Sequence, residues 1–104
     1  MYNLKASITF EFDPNNVHSD QRILKTYSKV LSLRNIHFQV AQSRDTISRK
    51  PFPDASRVYI SFVVDQEVKH QSSVHYISLI LQGEAGLLLL FPEVLSFSFA
   101  LTDS

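Results

Sequence analysis

Two apolar runs separated by a short polar stretch constrain the fold of this chain most strongly. The first run is RVYISFVVD at residues 57–65, and the second is VHYISLILQ at residues 74–82. Both are rich in β-branched and aromatic residues, and the polar QEVKHQSS between them is typical of a hairpin connection. The sequence therefore predicts an antiparallel hairpin over residues 57–82.

The second of these runs is apolar at both odd and even positions. A strand that is apolar on both sides is normally covered on both of its faces. We therefore expect this strand to lie in the centre of a sheet or against a partner chain. The residues concerned are Val74, Tyr76 and Ile80 on one side and Ile77, Leu79 and Leu81 on the other.

Three further segments alternate between apolar and polar residues with a period of two. They are 2–12, 36–42 and 94–102. This period predicts half-buried strands with one face in water. The last of these strands has a small, polar outer face, composed of Ser96, Ser98, Ala100 and Thr102.

The segment 19–34 has the spacing of an amphipathic helix. Ser19 suits the N-cap position, and Asn35 suits the position just after the helix because asparagine tolerates the left-handed conformation. The short link to residue 36 predicts a β-α-β unit with parallel strands and a right-handed crossover. The apolar stripe of the helix consists of Ile23, Leu24, Tyr27, Val30 and Leu31.

The remaining segments are predicted to be irregular or are ambiguous. Residues 82–86 hold both glycines and predict a turn. The apolar run 87–91 fits either a buried strand or a short helical turn, since periodicity cannot decide at this length. The segment 43–56 predicts a long loop, because Pro51 and Pro53 disfavour regular structure there.

These elements predict one α+β domain over residues 1–104. The expected architecture is a mainly antiparallel five- to six-stranded sheet with one amphipathic helix, in the order β-α-β-β-β-β. A single helix covers only a few strands, so much apolar strand surface is left over. The sheet is therefore expected either to curl over itself or to be completed by a second protomer.

The zero net charge of the chain hides an uneven distribution. Residues 22–57 carry eight basic and two acidic side chains, a net charge of +6, whereas residues 1–21 and 58–104 are net acidic. Such a pattern fits either a solvated dipolar surface or a basic face for a phosphate or an acidic partner. The candidate binding residues are Arg22, Lys25 and Lys29 on the helix and Arg44, Arg49, Lys50 and Phe52 in the loop.

No motif for catalysis, metal binding or cofactor binding is recognisable. The chain has no cysteine and only two glycines, so thiolate metal sites and glycine-rich phosphate loops are not expected. Neither a zinc-binding HExxH pattern nor a nucleophile elbow occurs. We therefore expect a protein that is not an enzyme and binds no cofactor or metal, although catalytic sites assembled from distant residues can escape detection.

The sequence shows no secretory signal, and the run 86–91 is too short to cross a bilayer. A cytoplasmic protein without a membrane partner is expected, and a viral or phage origin fits equally well. The primary functional hypothesis is a small interaction or assembly protein, such as an adaptor, a chaperone-like binder or a phage assembly component. It would form a homo-oligomer through its apolar sheet and bind another protein. The alternative is a nucleic-acid or phosphate binder that uses the basic segment 22–57.

Overall fold

The computed structural model describes residues 1–13, 19–46 and 56–102; the side chains at 19, 43–46, 56 and 57 are outside this description. The described residues form four strands and two helices, and a short 3-10 helix follows the second helix. In chain order they are β1 (Tyr2–Phe12), α1 (Ser19–Leu33), β2 (Phe38–Thr46), β3 (Ser56–Val68), α2 (Gln71–Leu87), the 3-10 helix (Leu88–Leu90) and β4 (Val94–Leu101).

The four strands form one sheet in the order β2-β3-β1-β4, and every neighbouring pair is antiparallel. The central pair is the longest, because β1 and β3 match from Tyr2 opposite Val68 to Phe12 opposite Val58. β1 and β2 run in the same direction, as the predicted β-α-β unit requires. However, β3 lies between them, so the two strands are not neighbours.

The alternation in β1 and β3 sorts their side chains onto two faces. The face that the helices cover is buried, and the aromatic rings of Phe10, Tyr27 and Phe62 meet there edge to face at centroid distances of 4.7–5.9 Å. Such pairs stabilise a core beyond the area that they bury. The strand residues of this face include Leu4, Ala6, Ile8, Phe10 and Phe12 from β1 and Val58, Ile60, Phe62 and Val64 from β3.

The first helix agrees with its prediction. Its stripe residues Ile23, Tyr27 and Leu31 are fully buried against the sheet. Asn35 has a φ of 57°, which confirms the left-handed residue predicted at the end of the helix. The amide of Ile36 then donates to the carbonyl of Leu31 at 3.0 Å, so the chain leaves the helix in a tight turn.

The predicted second hairpin strand and the turn after it are wrong. Residues 71–87 form the helix α2, and both glycines lie inside it. The buried residues Ser78, Leu81 and Ala85 follow one another at intervals of three and four, which places them on one side of a helix. After α2, the 3-10 helix shows that the helical alternative for this apolar run was the correct one.

The predicted sheet of five to six strands with one helix is therefore also wrong, although the α+β class is correct. The second helix supplies the cover for which the sequence suggested a curled sheet or a second protomer. The predicted loop 43–56 is shorter than expected at both ends, since Thr46 pairs with Ser56 across β2 and β3. Its middle, residues 47–55, lies outside the described residues.

Candidate functional site

The outward side of α2 is the most unusual surface in the described structure. Its inner side packs on the sheet, but the opposite side exposes large apolar residues at helical spacing. Tyr76 is 63% exposed, Leu79 54%, Leu87 58% and Leu90, in the 3-10 helix, 82%. Gly83 lies in the middle of this row. We call these five residues the α2 stripe.

The α2 stripe carries no charged side chain. Between residues 71 and 90 the only acidic or basic side chain apart from His75 is that of Glu84. Glu84 is only partly exposed, and its Oε1 accepts a hydrogen bond from Nη2 of Arg34 at 2.7 Å. The one charge on α2 therefore already has a partner on α1, and the stripe itself is an uncharged apolar surface.

The size of this surface sets it apart from ordinary exposed residues. The exposed parts of its four large side chains add up to on the order of 500 Å². The largest apolar patch on a typical monomer is about 300–600 Å² and is often functional. The α2 stripe is therefore as large as the largest apolar patch of a typical monomer, a kind of patch that is often functional.

α2 is fixed rigidly beneath this surface. Leu81 and Ala85 are fully buried, and Leu88 is nearly so. The hydroxyl of Tyr27 on α1 donates a hydrogen bond to the carbonyl of Leu81 at 2.8 Å. Burial, with a smaller contribution from the Glu84 carboxylate, raises the pKa of Tyr27 well above its ordinary value. The hydroxyl therefore keeps its proton and donates at any physiological pH, which holds the stripe in one orientation.

No contact within the described chain explains why residues 83 and 86 of α2 are glycine. A Cβ added at Gly83 or Gly86 would meet no atom within 4 Å. Glycine in a helix interior costs about 1 kcal/mol relative to alanine. Among the residues that the structure describes, no neighbour therefore requires glycine at either position.

The open face of the sheet, which no helix covers, has a different character. Ala41, Ser61, Thr9 and Ser98 form a row of small side chains across all four strands. The hydroxyls of Thr9 and Ser61 hydrogen-bond to each other at 2.8 Å. A row of this kind is stable in water, and beside it on the same face lie Tyr59 and Val63, the latter 44% exposed.

The charges on the open face also argue against a nucleic-acid partner there. The strand alternation places Lys5 on this face, together with Glu11 of β1 and Asp65 and Glu67 of β3. Counted over the side chains that the structure describes on this face, three carboxylates against one ammonium group repel a polyanion more than they attract it.

Three of the seven candidate binding residues come together on α1. Arg22, Lys25 and Lys29 are exposed and follow one another at intervals of three and four, as the sequence predicts. Arg22, however, lies 3.5 Å from the carboxylate of Glu93, and its guanidinium carbon lies 4.1 Å from the ring centroid of Phe91. Arg22 therefore anchors the segment before β4.

The structure does not describe the other four predicted binding side chains, so their distance from the basic residues of α1 is not defined. Arg44 lies in β2, but its side chain is outside the described part of the structure. Arg49, Lys50 and Phe52 belong to residues 47–55, which are not described. The basic loop therefore stays a prediction.

The described structure also contains a cleft beside the start of α2. This cleft of about 620 Å³ lies between the start of β1, the end of β4 and the start of α2, and Lys5, Val74, His75 and Leu101 contribute to its walls. Within residues 1–13, 19–46 and 56–102, no group of three or more His, Asp or Glu side chains could hold a metal ion.

The segment Gln71–Leu90 meets the length and composition that a bilayer-crossing helix needs, which alone is weak support for a membrane role. In the structure, Leu81, Ala85 and Leu88 from this segment pack in the core between the helices and the sheet.

Comparison with known proteins identifies the fold. The order β-α-β-β-α-β around a split β-α-β unit is the arrangement of ferredoxin-like domains. The 30S ribosomal protein S6 of Thermotoga maritima matches with a TM-score of 0.57, over 97% of this chain and 89% of that one. This chain has the ferredoxin-like, ribosomal S6-like α+β fold.

Another solved structure shares the same arrangement. The At3g17210 protein of Arabidopsis thaliana matches in two structures with TM-scores of 0.53 and 0.54, covering 97% and 100% of this chain and 94% and 89% of that one. Identities of 10–12% mean that these likenesses show the ferredoxin-like fold alone. No protein-family model matches the sequence, and no curated protein matches it.

The sequence interpretation missed the α2 stripe because it assigned the segment to a strand. A signal was present: Ser78, Leu81, Ala85 and Leu88 recur at intervals of three to four. Leucine, alanine, glutamine and glutamate, which favour helices, also dominate the second half of the segment. With this period, the other apolar residues fall on the outer side of a helix.

Proposed function

We propose that this protein is a small, non-enzymatic interaction and assembly protein that self-associates through the α2 stripe. The observation that supports the proposal is the uncharged apolar surface on the outer side of α2. The hydrophobic effect favours covering such a surface, and a helix bound firmly to the core presents it without a large ordering cost.

The area of the stripe indicates what kind of association to expect. Two copies that cover each other's stripe bury on the order of 1,000 Å² in total, which is the lower limit for a specific interface. We therefore expect a reversible, concentration-dependent dimer. Because the contact is apolar, high salt should leave it intact or strengthen it.

The proposal keeps the self-association expected from the sequence but places the contact on α2 instead of on the sheet. The sequence placed the surplus apolar surface on the sheet. In the structure α1 and α2 cover most of the apolar side of the sheet, and the open side is mostly small or polar, although Val63 on that side is 44% exposed. The surplus lies on α2, in the residues that the sequence interpretation assigned to a strand and a turn.

A nucleic-acid role finds less support in the described residues. Arg22 and Arg34 are each paired with a carboxylate, Glu93 and Glu84 respectively. A base that already holds a carboxylate must give up that partner before it can neutralise a phosphate. This leaves the exposed Lys25 and Lys29 as the strongest phosphate contacts on α1.

The deciding experiment is the solution mass by light scattering over a range of concentrations, at low and high salt. We expect the wild-type chain to pass from monomer to dimer with rising concentration. Leu79→Lys should keep it monomeric, because the substitution would bury an unpaired charge in the contact. The matched control is Ser98→Lys, which adds the same charge to the open face of the sheet and should dimerise normally.

Either of two results contradicts the proposal. A wild-type chain that stays monomeric at millimolar concentration would show that the α2 stripe remains in water. A dimer that Ser98→Lys dissociates and Leu79→Lys leaves intact would show self-association through the open sheet face instead.

A further inference from the structure

We infer that the partner on the α2 stripe is a second copy of the same helix, packed antiparallel, with the two-fold axis at Gly83. This inference rests on the self-association proposed above and specifies its geometry. It is carried by the order of the residues along the stripe, by Gly83 at its centre, by the helix macrodipole and by the lack of lysine and arginine on α2.

The α2 stripe is nearly symmetric about Gly83. Leu79 and Leu87 lie four residues before and after it, and Tyr76 and Leu90 lie seven residues before and after it. A two-fold interface requires one surface to complement itself. In an antiparallel pair centred at Gly83, Leu79 faces the partner's Leu87 and Tyr76 faces the partner's Leu90. The large exposed side chains therefore meet one another on both sides of the axis.

The glycines suit the same arrangement. At Gly83 the two helix backbones cross with no side chain between them, so the axes can approach more closely than the usual 8–10 Å. Closer approach brings the flanking leucines into contact. This supplies the reason for glycine that the protomer lacks, since a Cβ at Gly83 meets nothing within the described chain.

The helix macrodipole favours the antiparallel over the parallel orientation. The N-terminal end of a helix carries a partial positive charge and its C-terminal end a partial negative one. In an antiparallel pair each end of α2 lies beside the opposite end of the partner helix, so the two dipoles attract. In a parallel pair like ends lie together and the dipoles repel.

The charge of α2 favours a protein partner over a lipid surface. Helices that lie on membranes usually carry lysine and arginine on the polar side that faces the head groups. Residues 71–90 contain neither, and the one acidic residue, Glu84, is paired with Arg34. The surface is therefore poorly suited to anionic lipid and well suited to an identical uncharged surface.

Cysteine cross-linking tests the geometry cleanly, because the natural chain has no cysteine. Gly83→Cys should weaken the reversible dimer, but mild oxidation should trap it as a disulfide-linked dimer, since residues on the axis lie within disulfide distance of each other. A mixture of Leu79→Cys and Leu87→Cys chains should give a mixed dimer, whereas Leu79→Cys alone should give little. The matched control is Gln82→Cys, which is exposed but lies about 100° around the helix from Gly83 and should not cross-link.

The outcomes separate this inference from the proposal on which it rests. A wild-type dimer in which Ser98→Cys cross-links and Gly83→Cys does not would overturn the inference and leave self-association standing. Efficient cross-linking of Leu79→Cys with itself would show a parallel pair and overturn the antiparallel orientation. A wild-type monomer that floats with vesicles of anionic phospholipid would overturn both. Cross-linking of Gly83→Cys and of the mixed pair, with unreactive Gln82→Cys, would establish the antiparallel pair.

Discussion

The hydroxyl of Tyr27 donates a hydrogen bond to the backbone carbonyl of Leu81 across 2.8 Å, and this bond joins the two helices. Both residues are fully buried. The bond satisfies the one polar atom of a large core side chain, and the Tyr27 ring packs on Phe10 and Phe62. The position of α2, and with it the direction in which the α2 stripe faces, depends on this contact.

Removing this hydroxyl should destabilise the protein measurably. We expect Tyr27→Phe to lower the free energy of unfolding by about 1 kcal/mol, since the bond is lost but the Leu81 carbonyl keeps its place in the helix. Urea denaturation measures the change. Tyr59→Phe, on the open face of the sheet, is the control and should change stability little. Equal losses in the two variants would mean that the bond contributes nothing specific.

The raised pKa of Tyr27 predicts a loss of stability in alkali. Below pH ~10 the hydroxyl is protonated in both the folded and the unfolded chain, so it contributes no pH dependence. Above that pH the unfolded chain releases this proton while the folded chain keeps it. Stability should therefore fall by up to ~1.4 kcal/mol per pH unit from this group.

Urea titrations between pH 8 and pH 11 measure this slope for the wild type and for Tyr27→Phe. The other tyrosines and the lysines titrate in both proteins, so the difference between the two slopes isolates Tyr27. Parallel curves for the two proteins would refute the assigned cause.

Phe62 should be among the most sensitive positions of the core. It is fully buried, and its ring lies 4.7 Å from that of Tyr27 and 5.9 Å from those of Phe10 and Phe38. Phe62→Ala should cost about 3–5 kcal/mol of unfolding free energy, because it leaves a cavity that the rings cannot fill. Val63→Ala, the next residue on the opposite face, should cost under about 1 kcal/mol. Comparable costs at the two positions would contradict the assigned faces of β3.

Gly83→Ala should change protomer stability and self-association in opposite directions. In dilute solution, where the monomer dominates, alanine should raise the free energy of unfolding by about 1 kcal/mol, since it favours the helix and meets no neighbour. In concentrated solution its methyl group should hold the two helices apart and weaken the dimer. Urea denaturation measures the first effect and light scattering the second. A variant that is more stable and dimerises as well as the wild type would count against crossing at this residue.

The basic side of α1 should give at most weak binding to nucleic acid. If Lys25 and Lys29 are the main phosphate contacts, the logarithm of the affinity for duplex DNA should fall with the logarithm of salt with a slope of about −2. Fluorescence polarisation at low salt measures this for the wild type and for a Lys25→Gln, Lys29→Gln variant. A much steeper slope would indicate further bases, such as those in the predicted loop, and would favour the nucleic-acid alternative.

The elements whose apolar residues follow a single regular spacing were predictable from the sequence. β1 alternates from Tyr2 to Phe12, and its bounds agree with those predicted. α1 has one apolar stripe and a left-handed asparagine after it, and both features are found. In each case water lies on one side and the core on the other, so burial itself creates the pattern.

The same periodicity argument did not identify α2, because this helix is apolar on two sides. Its inner side faces the core, its outer side carries the α2 stripe, and the two together erase the contrast that reveals a helix. β-Branched residues at its start and two glycines in its second half added signals for a strand and a turn. The feature that misled the secondary-structure prediction is therefore the same feature that makes the helix a candidate interface.

The strand order has a consequence for how the fold is assembled during synthesis. β1 pairs with β3, whose partner residues follow it by 46–66 positions, so the centre of the sheet cannot close until residue 68 has left the ribosome. Until then the apolar side of β1 also lacks α2, the helix that packs over it in the finished fold. Long-range pairings of this kind slow folding and leave strand edges open to other chains. The nascent chain thus passes through a stage in which β1 has neither its strand partner nor the helix that covers it.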